Sequence, residues 1–256
     1  MSTPRVSFLI GGVQKAGTTA LAEFLALHPQ VALPTQKEAH IFDAPDFDDA
    51  ADPAAVDRLY ASQFADAAPA ALYGDATPIY LFLPQVIRRI ARYRPDMRWI
   101  VLLRHPVARA LSHHHMERER GTETWPLWPA LLLESWRLRG HGDDLSWPSP
   151  LRTHSYRARG DYASQLDQLY AHFPRDHVLV LDSAQLRHRP EQTLARVYAH
   201  LGLSGTPQLP ATQTVFAGRY PRLPQGSWRA RMLTALFRHE LAALKDRYDI
   251  ELAFDP

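Results

Sequence analysis

With 256 residues the chain can form one ample domain, and with 46% hydrophobic and 22% charged residues it has the make-up of a soluble globular protein rather than a disordered one. A formal charge of +2 gives no argument for a nucleic-acid partner, although a pI near 8.9 suits an anionic ligand. The absence of cysteine excludes disulfides, thiolate metal sites and cysteine nucleophiles.

The first apolar run is short, lacks the h-region of a signal peptide and leads straight into a glycine turn, so Ser7 to Gly11 reads as a buried strand. Thr18 to Leu27 follows as a helix that His28-Pro29 ends. Val31 to Leu33 and Ala39 to Phe42 read as short extended segments, and Pro53 to Phe64 as a peripheral helix. Leu72 to Asp75 is a second short strand, and Pro84 to Tyr93 a helix opening on proline. Arg98 to Leu103, RWIVLL, is the clearest buried strand, with a helix from Pro106 to about Arg120. The stretch Thr122 to Pro150 holds Trp125, Trp128, Trp136 and Trp147, with helix expected at Leu131 to Arg139.

A helix at Tyr162 to His172, a strand at Val178 to Leu181 and a helix at Pro190 to Leu201 come next. Ser227 to Tyr248 reads as one last amphipathic helix, which either closes the core or offers a homodimer surface. Strands alternating with helices predict one α/β domain over residues 1–256, a three-layer fold with a central, mainly parallel sheet flanked by helices. Its core spans about residues 6–203, and a carboxyl-terminal loop and helix about 204–256. No stretch approaches the roughly 20 apolar residues that span a bilayer, so a cytoplasmic protein without a membrane span is expected.

The first strand runs into Gly12-Val13-Gln14-Lys15-Ala16-Gly17-Thr18-Thr19 and then a helix, the order of a phosphate-binding P-loop. The ATP-type loop is GxxxxGK[ST]. Gly12 and Gly17 keep its spacing, but Thr18 occupies the lysine position and the lysine has moved inside the loop, to Lys15. A triphosphate with Mg²⁺ needs its lysine on the β- and γ-phosphates; the displaced lysine suits a shorter, metal-free group. The plain alternative is a glycine turn with a solvated lysine. Lysine is otherwise scarce, at Lys37 and Lys245 only, in a chain whose basic residues are nearly all arginine. Codon bias explains that background equally well.

Arg104 follows the RWIVLL strand, where open α/β sheets bind ligands, and a guanidinium there can grip a phosphate in two-pronged fashion. Ser112, about two turns along the next helix, adds a hydroxyl. Alone the pair says little. With the lysine-bearing loop it explains a nucleotide carrying phosphates at both its 5′ and 3′ ends.

Together these residues resemble the family of sulfotransferases that use PAPS (3′-phosphoadenosine-5′-phosphosulfate), most closely its carbohydrate branch of heparan sulfate glucosaminyl 3-O- and N-sulfotransferases and the short bacterial proteins like it. The family loop KxGTT stands here as Lys15-Ala16-Gly17-Thr18-Thr19, and its 3′-phosphate arginine and serine as Arg104 and Ser112. The KExHFFD-type segment is matched by Lys37-Glu38-Ala39-His40-Ile41-Phe42-Asp43. Thr77-Pro78-Ile79-Tyr80, Arg159-Gly160-Asp161-Tyr162 and the strand ending near Asp182 extend the similarity. A late loop that helps grip the 3′-phosphate has its counterpart in Ala217-Gly218-Arg219-Tyr220. Ala76 stands where the heparan enzymes have a lysine, and the sparse lysine elsewhere argues against a polyanionic acceptor.

The resemblance implies sulfuryl transfer from PAPS to a hydroxyl or amine of an acceptor such as a glycan or small metabolite, with adenosine 3′,5′-bisphosphate (PAP) as product and no metal required. Lys15 is then expected to neutralise the leaving group, Thr18 and Thr19 to hold phosphate, and Glu38 to act as base. On an extended segment His40 points to the same side as Glu38 and Asp43 to the other. Lys37-Glu38 as a solvated charge pair and His40 as a structural histidine are the rivals. The tryptophans either wall an acceptor pocket or pack a core. His113-His114-His115 is expected on a solvated helix face, because consecutive helix positions diverge. Two other function classes stand beside this one. A P-loop kinase or NTPase draws on Val178 to Asp182 as a metal-supporting strand, and a non-catalytic nucleotide-binding protein would share the fold.

Overall fold

The computed structural model describes residues 4–64, 70–207, 209 and 226–254. In chain order the elements are β1 (Val6–Gly12), α1 (Thr18–Ala26), β2 (Val31–Ala32), α2 (Pro53–Gln63), β3 (Leu72–Asp75), α3 (Pro84–Tyr93), β4 (Arg98–Leu103) and α4 (Pro106–Glu119). There follow α5 (Leu127–Leu132), α6 (Glu134–Arg137), α7 (Pro150–Thr153), α8 (Tyr162–Tyr170), β5 (Val178–Asp182), α9 (Ser183–His188), α10 (Pro190–Leu201), α11 (Trp228–Leu236) and α12 (Arg238–Tyr248). The chain divides into two compact units, one of Met1–Leu103 with Asp167–Ala217, the other of Arg104–Leu166 with Gly218–Pro256.

The first unit is built on five strands in the order β2-β3-β1-β4-β5, every neighbouring pair parallel. That is the expected α/β sheet with helical crossovers. β4 shows why its sequence was so legible: after Arg98 every residue to Leu103 is buried, as a strand covered on both faces requires. Burying each such side chain contributes roughly 1.5–3 kcal/mol. Trp99 on β4 is fully buried against Phe173, ring centroids 5.5 Å apart. α3 turns Val86, Ile87, Ile90 and Tyr93 inward at helical spacing. From β1, the middle strand, the chain first builds β3 and β2 on one side and then crosses to β4 and β5 on the other. This reversal makes the carboxyl end of β1 a topological switch point, where such sheets hold ligands.

Two expectations are corrected in and around this sheet. Ala39 to Phe42 is not an extended segment: Glu38 and His40 adopt left-handed backbone angles, φ 66° and 51°, which no strand permits. β5 runs on to Asp182, whose carboxylate then caps a further helix, α9, by accepting from Ala184 N–H at 2.9 Å. Asp182 also stands on the edge strand, one removed from β1.

The second unit gathers α4 and α11 around an apolar cluster of Val107, Ala110, Ala130, Leu131, Tyr156, Leu233 and Phe237. The predicted final helix is two helices, because the chain turns at Phe237 (φ −107°, ψ 13°) and sets that ring fully into the cluster. Likewise Leu131 to Arg139 is not continuous; α5 ends at Leu132 and α6 starts at Glu134. Glu134 is buried there and accepts the backbone N–H groups of Arg157 and Ala158. Among the described residues no helix is long and apolar enough to cross a membrane.

Candidate active site

β1 delivers the phosphate loop. Val13 N–H donates to the carbonyl of Leu102 on β4 at 2.7 Å, which pins the start of the loop to the neighbouring strand. Only glycine fits at position 12, since a methyl group there would stand 2.6 Å from Cδ2 of Leu81. The chain turns through Ala16 N–H to Val13 carbonyl (3.1 Å), with Lys15 left-handed at φ 73°. Gly17, at φ 93°, is the cap residue of α1. α1 has neither a capping side chain nor an acidic residue in its first turn. Its opening N–H groups and the positive end of its dipole therefore form a donor set suited to an anion. Thr18 is buried and Thr19 exposed.

The carboxylate loop comes from the other side of β1. The Glu38 carboxylate pairs with the Lys37 ammonium, and its second oxygen lies 3.5 Å from His40 Nε2. His40 Nδ1 in turn lies 2.9 Å from Oδ2 of Asp43, which is fully buried. Glu38 and His40 do meet, as the sequence suggested, but through two left-handed residues rather than strand alternation, and Asp43 joins them instead of facing away. Each left-handed non-glycine residue costs of order 1–3 kcal/mol and persists only where its surroundings over-determine it.

Those surroundings belong to the end of β3 and the 3₁₀ turn after it, Tyr80–Phe82. His40 N–H points to Thr77 Oγ1 (3.5 Å), and Ile41 N–H donates to the Tyr80 hydroxyl (3.0 Å). The Phe42 carbonyl accepts from Arg89 on α3 at 2.8 Å. The same turn carries the Leu81 that packs on Gly12. Lysine loop and carboxylate loop are thus anchored at the carboxyl ends of two adjacent parallel strands, β1 and β3.

The charges in the carboxylate loop shift together. Burial pushes the Glu38 carboxyl up, but His40 and Lys37 overcome it and hold the group at about 2. Burial likewise acts to lower His40, and the Asp43 and Glu38 carboxylates overcome it, raising the imidazole to about 9. At neutral pH the loop therefore holds an imidazolium between two carboxylates. The sign of the linkage follows: a raised histidine stabilises fully below its unfolded value of 6.5 and loses that contribution as pH rises through about 9. Thermal unfolding of wild type and His40→Gln should differ most below pH 6.5, with the gap closing as pH passes about 9. A gap that widened with rising pH would show that His40 folds in neutral.

In the second unit Arg104 and Ser112 are both buried. The Arg104 carbonyl accepts from the Tyr162 hydroxyl at 2.7 Å. Arg159 holds Ser155 Oγ and the Arg152 carbonyl, each at 2.8 Å. The Arg159-Gly160-Asp161-Tyr162 segment thus has a job: it steadies the backbone of the arginine at the strand end. Gly218, Arg219 and Tyr220 lie outside the described residues. The three histidines do diverge, but His113 is fully buried against Tyr156 rather than on a solvated face. His114 reaches the Trp125 carbonyl (3.0 Å) and His115 pairs with Glu119 (3.3 Å). Among the described residues no group of three His, Cys, Asp or Glu could hold a metal ion. Trp125 and Trp128 pack against the apolar cluster, whereas Trp136 and Trp147 are exposed, Trp136 stacking on Trp125 at 6.4 Å.

A sequence profile described as the sulfotransferase family matches residues 7–207. The mouse (Mus musculus) heparan sulfate glucosamine 3-O-sulfotransferase 6 is 34% identical over 200 residues, covering 76% of this chain and 52% of the relative. The human (Homo sapiens) bifunctional heparan sulfate N-deacetylase/N-sulfotransferase 2 is 29% identical over 220 residues, covering 81% and 23%. This chain spans about half the length of the 3-O-sulfotransferase it matches. Among solved structures, a sulfotransferase from Alicyclobacillus acidocaldarius superposes with a TM-score of 0.73 at 27% identity, over 98% of each chain.

Proposed function

Because this chain belongs to the sulfotransferase family, we propose that it moves the sulfuryl group of PAPS to a hydroxyl or amine, with Glu38 as the base. The observation that carries the reading is a lysine loop at an uncapped helix start after β1, together with an ionised glutamate loop held by the turn that follows the adjacent strand β3. When bound, PAPS supplies a sulfuryl group activated by its phosphate leaving group. Lys15, the amides of Ala16 and Gly17 and the hydroxyls of Thr18 and Thr19 are assigned to the 5′ end of the nucleotide, and Arg104 with Ser112 to its 3′-phosphate. Gly218, Arg219 and Tyr220 are assigned to the same phosphate by the resemblance. The family match draws on residues of both units, so we take them as parts of one sulfotransferase domain.

Lys15 places a compact positive charge where negative charge grows on the departing bridging oxygen. Glu38 receives the proton of the attacking hydroxyl or amine. Its low basicity is no obstacle if that transfer comes late, because the proton turns strongly acidic as its atom bonds to sulfur. His40, cationic and tied to Asp43, holds the carboxylate in the accepting orientation. In-line positioning supplies the rest.

The test is direct. The protein should bind PAP equally well with Mg²⁺ or with EDTA, and should transfer ³⁵S from labelled PAPS to a member of glycan, phenol and small-metabolite pools. Tight binding of ATP with Mg²⁺ and none of PAP would overturn the proposal.

A further inference from the structure

We propose that Asp75 is the positioning residue of this reaction, holding through Thr77 and Tyr80 the backbone of residues 39–42 and so fixing where Glu38 and His40 stand. The proposal rests on the reading of Glu38 as base. Asp75 is the last residue of β3 and is fully buried. Its Oδ1 accepts from the Thr77 hydroxyl at 2.7 Å, and its Oδ2 from the hydroxyls of Tyr60 at 2.8 Å and Tyr80 at 3.0 Å. The backbone N–H of Ala39 is a further donor to it. Burial pushes this carboxyl above its usual range, and the donors from Thr77, Tyr60, Tyr80 and Ala39 pull against that rise.

Two of those hydroxyls are used twice. Having given its hydrogen to Asp75, the Thr77 oxygen faces the N–H of His40, and the Tyr80 oxygen accepts those of Ile41 and Phe42 (3.0 and 3.4 Å). Four consecutive backbone N–H groups, from Ala39 to Phe42, therefore end on one buried carboxyl group, directly or through one hydroxyl. A hydroxyl that donates to a carboxylate is polarised into a better acceptor, which strengthens the second bond. The loop gripped in this way is the one with left-handed backbone at Glu38 and His40. Burial and the Asp75 charge push both tyrosine hydroxyls well above their usual value, so they remain donors.

Tyr60 is a built-in control, because its hydroxyl meets Asp75 Oδ2 and none of the loop N–H groups. Tyr80→Phe, Asp75→Asn and Tyr60→Phe are compared by amide hydrogen exchange across residues 38–43, by PAP binding, and by ³⁵S transfer in the presence and absence of Glu38→Gln. Tyr80→Phe and Asp75→Asn should speed exchange at residues 39–42 and lower kcat by on the order of 10²-fold, with PAP affinity kept. In the Glu38→Gln background the same changes should lower kcat little further, since they act through that carboxylate. Tyr60→Phe, which removes a donor to Asp75 but no acceptor of the loop, should change exchange and kcat far less than Tyr80→Phe.

Should Asp75→Asn not fold, Tyr80→Phe against Tyr60→Phe decides the matter. Equal behaviour of those two, or a loss undiminished in the Glu38→Gln background, would overturn the proposal. If Glu38→Gln alone transfers at the wild-type rate, the base assignment has failed instead, and the exchange data still show whether Asp75 holds the loop.

Discussion

Glu38→Gln is expected to lower kcat by about 10²- to 10⁴-fold, the usual worth of a general base, with little change in PAP affinity. The substitution keeps the shape of the side chain and removes its charge. It also frees Lys37 and His40 from the carboxylate they now share. Donor affinity should hold because the lysine loop is built by other contacts, from Val13 to Leu102 and from Gly12 to Leu81. The pH profile gives a sharper reading than the rate alone. With the carboxyl at about 2, wild-type activity should stay flat through mildly acidic pH rather than fall near 4.5, the ordinary value for a glutamate. Steady-state kinetics over that range, beside PAP calorimetry on the variant, checks both parts. A variant with full turnover would remove Glu38 from the mechanism.

Lys15→Ala should cost on the order of 10²- to 10³-fold in kcat, as losing one preorganised charge at a developing anion does, and should weaken PAP binding as well. That double effect separates it from Glu38→Gln. Lys15→Arg is informative because it keeps the charge but swaps a compact ammonium for a wider fork. It should recover binding better than turnover. Single-turnover ³⁵S transfer with PAP calorimetry distinguishes these outcomes. Normal turnover in Lys15→Ala would mean that the amides of α1 suffice on their own.

Local patterns in the chain gave away the parts whose physics is local. RWIVLL is a strand because both its faces are covered, and Pro84 to Tyr93 is a helix because its apolar residues recur at helical spacing; the structure has both at those bounds. The phosphate loop was legible because glycines, lysine and helix follow one another directly. The carboxylate loop was only half legible. Its residues stood in the motif, but period-two alternation gave the wrong reason for Glu38 and His40 to meet, since left-handed angles leave no trace in hydrophobic spacing. Asp75 was invisible as a site residue because its partners Ile41 and Phe42 are reached through Tyr80, across a separation of 39 and 38 residues. The turn at Phe237 was missed because an amphipathic repeat looks unbroken until a ring is seen to turn into a cluster.

The string from Lys37 to Asp43 is also a small electrical device. It alternates ammonium, carboxylate, imidazolium and carboxylate, so at rest its charges cancel. When Glu38 gains a proton, the string becomes positive by one unit without any ion having to enter. In the reaction proposed above, that charge would appear as the anionic leaving group departs. Uptake of the proton and departure of the leaving group therefore favour each other, and neutrality at rest keeps this pull from being spent on ions already in solution.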